Sequence, residues 1–152
     1  MPPDSISIRL QGRAAACAAI CRRELSAGLE QILECFGLRG KGCDLLLADD
    51  RSLRELNRAY LGLDGPTNVL SFPEAGKDSE GHLGNICLSV ETLFREALLY
   101  GQDPAEHLIR LLCHGVLHLA GHEHGPAMQA LTEQGLQVFR DRPERHLILG
   151  GS

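Results

Sequence analysis

The sequence predicts an α+β fold: a mixed four-stranded sheet packed with about five helices, in a single domain spanning residues 1–152. Three observations carry this. Strand-length runs, alternating or wholly apolar, recur four times between longer stretches of helical periodicity. Two helices in succession close the chain, and a polar stretch at 74–81 joins two strands as a hairpin would. Both features favour a mixed sheet over a regularly wound parallel one. At 152 residues and 43% hydrophobic content, the chain is long enough and apolar enough to bury a core without staples.

Residues 5–10 alternate polar and apolar and read as a half-buried strand. The alanine- and leucine-rich stretch 14–36 reads as a helix that ends near Gly37. Residues 44–48, with three consecutive leucines, read as a buried strand. Asp49 or Asp50 caps a helix running to Tyr60, with Leu53, Leu56 and Tyr60 on one stripe. Residues 62–66 form a loop, 68–72 a short strand ended by Pro73, and 83–89 another strand. A helix at 91–100 follows. The clearest helix start is Asp103, Pro104 and Glu106 at N-cap, N1 and N3. That helix is apolar nearly all round, which makes it central. A last helix runs from Pro126 to about Arg140.

The cysteines show no CxxC pair and sit mostly in apolar runs, as separate core thiols do, and this fits a reducing compartment. With no basic-then-apolar start and no run near the length of a bilayer span, the expected location is the cytoplasm, with no membrane contact. The net charge of −5 excludes a generally basic nucleic-acid coat, and 4% aromatic residues leave few platforms for stacking bases. Contact with a nucleic acid is therefore local and directed at phosphates.

The chemistry concentrates in residues 114–124, which hold four histidines. His114 and His118, four apart, project from one face of a helix. Gly121 can end that helix and turn the chain back, so that His124 approaches the first two. Three neutral imidazoles with an open fourth position are the usual protein contribution to a catalytic zinc. A triad using His122 instead would spread its rings along about 12 Å of helix and could not converge on one ion. His107 shares the face but lies about 10 Å away along the axis, which fits a structural or cleft-lining role. The spacing matches the metzincin pattern H-E-x-x-H-x-x-G-x-x-H, except that the glutamate serving there as general base is Gly115 here. Peptide hydrolysis would lack its proton acceptor.

The same segment, His114-Gly115-Val116-Leu117-His118-Leu119-Ala120-Gly121-His122-Glu123-His124, closely resembles the signature of the YbeY family. Two further stretches match in the same order: residues 56–73, with Pro66-Thr67-Asn68-Val69-Leu70-Ser71-Phe72-Pro73, and residues 82–89. The resemblance implies a zincin-like metalloprotein acting as a metal-dependent endoribonuclease on single-stranded RNA. The implied role is late-stage maturation of the 3′ end of small-subunit (16S) ribosomal RNA and ribosome quality control. The implied partners are that RNA, the ribosome and its assembly factors, with no DNA expected. It also implies one Zn2+ per chain, or another divalent transition metal, on His114, His118 and His124. Two residues depart from the family pattern: Leu61 stands where an arginine is usual, and Asn85 where an aspartate is usual.

Arginines near the cleft, Arg58 first among them with Arg51 and Arg54 on the same helix face, would neutralise phosphate. Asn57, Thr67, Asn68 and Ser71 would hydrogen-bond the RNA backbone. Glu123 is the nearest carboxylate in sequence to the histidines and the candidate for catalytic proton transfer. A zinc metallopeptidase using a distant carboxylate, or a non-catalytic zinc-containing ribosome-assembly factor, are the alternatives at this point.

Overall fold

A computed structural model gives the fold and describes residues 6–16, 20–62, 68–74 and 81–142. The elements run β1 (Ile6–Leu10), a 3-10 helix (Gly12–Ala16), α1 (Arg22–Cys35), β2 (Gly42–Ala48), α2 (Asp50–Leu61), β3 (Val69–Pro73), β4 (His82–Ser89), α3 (Val90–Leu99), α4 (Pro104–Leu119) and α5 (Pro126–Arg140). The sheet order is β1-β2-β4-β3, with β1, β2 and β4 parallel and β3 antiparallel to β4. This is the mixed four-stranded sheet with five helices that the sequence predicts.

One expectation changes. The single helix expected from residue 14 is replaced by a separate 3-10 turn and a helix starting at Arg22. The Asp49 carboxylate accepts the Arg13 backbone N–H at 2.9 Å, fixing that turn against the start of α2. A contact 36 residues away in sequence leaves no local signal.

Period-two alternation sorts the strands onto two faces. Ile6, Ile8 and Leu10 on β1, Leu45 and Leu47 on β2, and Ile86 and Leu88 on β4 join the main core. There they pack with Leu25 and Leu29 of α1 and Leu108, Ile109 and Leu112 of α4. The opposite face carries a smaller cluster, Leu70 and Cys87 under Leu53 of α2, with Leu46, Leu56 and Phe72 against it. So α4 and α2 lie on opposite sides of the sheet. No described helix is long and apolar enough to cross a membrane.

Two junctions set the geometry around α4. Between Gly42↔His82 and Asp44↔Asn85 the register of β4 slips against β2, a bulge at Gly84. A Cβ on Gly84 would stand 2.2 Å from the Phe72 carbonyl oxygen, so only glycine allows β3 this close. At the far end, Ser89 closes β4 and caps α3, its hydroxyl accepting the Thr92 N–H at 3.2 Å, with no loop between them.

Candidate metal centre

Helix α4 begins as its sequence predicts: Asp103 accepts the Glu106 N–H at 3.1 Å, and Pro104 occupies the first turn. It ends in a paired-hydrogen-bond cap. The Gly121 N–H reaches the His118 carbonyl at 3.0 Å and the His122 N–H reaches that of Leu117 at 2.9 Å, with Gly121 at φ +94. This reversal carries residue 124 back toward the helix face that holds His114 and His118.

His124 approaches both helix histidines. The His118 and His124 centroids are 4.8 Å apart and those of His114 and His124 are 6.3 Å apart, both pairs edge-on. Imidazoles bound to one tetrahedral ion at about 2.0–2.1 Å place their centroids about 5 Å apart. Of the two pairs that His124 makes, the one with His118 stands at that spacing and the one with His114 is wider. His114 and His118 are half-buried and His124 is exposed. Burial, followed by the neighbouring imidazoles of His124 and His118, lowers the His114 pKa and favours the neutral ring that a metal requires. The donor set and its spacing fit a divalent transition metal with one side open.

Facing the rings is β3. A cleft of about 610 Å³ runs between it and α4, with Asn68, Val69, Ser71 and Pro73 on one wall and Leu111 with the three histidines on the other. The Ser71 hydroxyl donates to the Gly115 carbonyl oxygen at 3.3 Å, tying the walls together. Gly115 is buried against β4, and a Cβ there would lie 3.0 Å from two carbons of Ile86. The position that holds the base in a zincin peptidase thus faces the sheet, where any side chain would require Ile86 to shift. Among the described residues, none lining the cleft is acidic.

Asn68, on the cleft wall, is tied to a polar chain. His107 is buried, its Nε2 2.9 Å from Glu96 Oε1, while Arg110 Nη1 lies 3.3 Å from His107 Nδ1. Glu96 also accepts from the Asn68 amide nitrogen, at 3.1 and 3.4 Å from its two oxygens. The sequence predicts a structural or cleft-lining role for His107, of which the structure shows the first, and carries no signal for Glu96. The link depends on α3 docking beside α4, which no local pattern encodes.

The remaining candidates are dispersed. Asn68 and Ser71 line the cleft, Asn57 is buried within α2, and Thr67 lies outside the described residues. Arg58, with Arg51 and Arg54, is exposed on α2, across the sheet from the histidines. Glu123 and His122 are exposed on the turn before His124. Leu61 is exposed at the end of α2. Asn85 lines a separate cavity of about 340 Å³ on the α2 face, with Arg9, Asp44 and Tyr60. The aspartate-to-asparagine departure therefore lies away from the metal ligands.

The chain is similar to known proteins over most of its length. A family model described as endoribonuclease YbeY matches residues 16–138. A protein of that name from Oleidesulfovibrio alaskensis is 41% identical, over 87% of this chain and 90% of its own. Another from Nitratidesulfovibrio vulgaris is also 41% identical, over 80% and 86%. A solution structure from Thermotoga maritima superposes with a TM-score of 0.60 at 24% identity, over 91% of this chain and 93% of its own, and supports the fold.

Proposed function

The chain belongs to the endoribonuclease YbeY family, and from that premise we propose that the cleft beside His114, His118 and His124 is where this enzyme hydrolyses single-stranded RNA. It is a hydrolytic endoribonuclease. The observation that carries the site is the approach of His124 to His114 and His118 on a cleft whose described lining holds no carboxylate.

In this reading His114, His118 and His124 hold one divalent ion, zinc being the first choice for three neutral imidazoles. When bound, such an ion polarises a phosphoryl oxygen and acidifies a water molecule toward neutral pH. The protein's own residues orient. Ser71 and Asn68 meet the ribose side of the RNA backbone against β3, and Leu111 adds an apolar surface to the cleft. Glu123, exposed next to His124, is the carboxylate placed to exchange protons with solvent.

The substrate proposed is the 3′ region of small-subunit ribosomal RNA, within ribosome maturation and quality control, and the compartment is the cytoplasm. Buried, unreactive thiols fit a reducing setting: burial pushes Cys43 and Cys113 up to about 12 and Cys87 to about 11. The test incubates metal-loaded protein with an unstructured RNA and, separately, with casein. RNA cleavage that chelation abolishes, and that fails in a folded His114→Ala variant, supports the reading. Casein cleavage without RNA cleavage overturns it.

A further inference from the structure

We propose that Glu96 and His107 are positioning residues: they turn the Asn68 amide so that its carbonyl oxygen faces the cleft, where it accepts a hydrogen bond from a ribose 2′-hydroxyl of the bound strand. This rests on the endoribonuclease reading and names the part of the substrate recognised.

Donor and acceptor chemistry fixes the chain of contacts in one direction. A guanidinium only donates, so Arg110 Nη1, 3.3 Å from His107 Nδ1, makes that nitrogen an acceptor. The ring proton then sits on Nε2, which donates to Glu96 Oε1 at 2.9 Å. A carboxylate only accepts, so the group of Asn68 at 3.1 and 3.4 Å from its oxygens is the NH2. Reversing that amide would set oxygen against oxygen beside a buried imidazole. The carbonyl oxygen is left as the end of Asn68 available to a ligand.

Ser71 points the same way. A carbonyl cannot donate, so its hydroxyl proton goes to Gly115 O at 3.3 Å, and only lone pairs remain for the cleft. The two polar side chains on the wall facing the histidines therefore offer acceptors. An ionised phosphodiester offers acceptors too, and does not pair with such a wall. The 2′-hydroxyl is a donor that RNA carries at every residue and DNA lacks.

The test uses metal-loaded enzyme and an unstructured oligouridylate, whose bases carry no exocyclic amine, compared with versions bearing one 2′-deoxy residue walked along the strand. At one position the deoxy substitution should lower kcat/KM about tenfold, the size of one lost hydrogen bond. In Asn68→Ala the all-ribose substrate should fall about tenfold, and the deoxy substitution should cost nothing more. Glu96→Gln, whose own amide would turn its NH2 toward Asn68 and let that side chain reverse, should lose the ribose preference with its melting temperature kept. Adding Asn68→Asp to Glu96→Gln restores an acceptor at the cleft and should restore the preference, which no loss of general stability would do. Insensitivity of the wild type at every position, or a full deoxy effect surviving in Asn68→Ala, overturns the inference while leaving the nuclease reading intact. Absence of any RNA cleavage by the wild type overturns both. Should Glu96→Gln fail to fold, the Asn68→Ala comparison decides alone.

Discussion

Gly115 determines which chemistry the histidine helix can host. Its missing side chain lets α4 lie against Ile86 of β4, with 3.0 Å available where a Cβ would stand. Gly115→Ala should therefore cost about 1–3 kcal/mol of stability, as overpacking does. Urea unfolding of Gly115→Ala with and without Ile86→Val checks the cause: the second change should recover part of the loss. An unchanged midpoint for Gly115→Ala would show that the contact relaxes freely. The residue-level reading from sequence went far here. The histidine spacing, the glycine turn and the absent peptidase base are all local in the chain, and each has its counterpart in the folded site. Asn57 shows the limit: a polar residue in a matching stretch looked available to RNA, yet the apolar stripe of α2 carries it inward.

At the scale of elements, helix starts were legible because caps are written within four residues. Asp49 accepts the Ser52 N–H at 2.9 Å and Asp103 that of Glu106. What lay beyond reach was the second use of a cap. Asp49 also accepts from Arg13, and that N–H, followed by the N–H and the hydroxyl of Ser52, holds its carboxyl at about 2 instead of the ordinary 3.8. A carboxyl with a depressed pKa stabilises the folded state above its ordinary value and ceases to as pH falls through the lower one. Asp49→Ala should cost about 1–2 kcal/mol at pH 7. The gap between variant and wild type should narrow as pH falls below 4 and close near 2. Denaturation curves at several pH values measure it, and a gap that stayed constant to pH 2 would rule out the carboxylate as its source. The same non-local character explains the misplaced start of α1 and the unforeseen Glu96–His107 pair: both depend on which elements become neighbours.

For the whole molecule, the metal ligands and the core are separable. The groups that fill the interior, Leu25, Leu45, Ile109 and Leu112 among them, are essentially inaccessible, whereas the three histidines sit at the rim of one helix end. Removal of the ion should abolish RNA cleavage and leave the far-ultraviolet circular dichroism unchanged. Zinc added back should raise the melting temperature in proportion to the logarithm of its excess over Kd. His118→Ala should remove that rise while the apo protein melts as before. Collapse of the dichroism on chelation would instead make the ion a folding element, as in structural zinc sites. Fold class and strand number were readable from the chain because α+β patterning is a sum of local signals. The placement of α2 across the sheet, which separates Arg58 and Asn85 from the histidines, emerges only when the sheet is assembled.

The loopless passage from β4 into α3 makes the helix an index finger of the sheet. Ser89 is at once the last strand residue and the cap, and its hydroxyl also donates to Asp50 at the start of α2. With no slack at its base, α3 has a single rotational setting, and Glu96 inherits it. One extra residue inserted after Ser89, with the cap kept, would turn every later position of α3 by about 100°. Glu96 would swing away from His107 and Asn68, while the three imidazoles on α4 and its following turn stayed in place. Such a protein should still bind zinc and yet grip its substrate differently. The precision of the cleft is thus set in part by the length of a junction, a property that can be altered without changing a single residue that lines it.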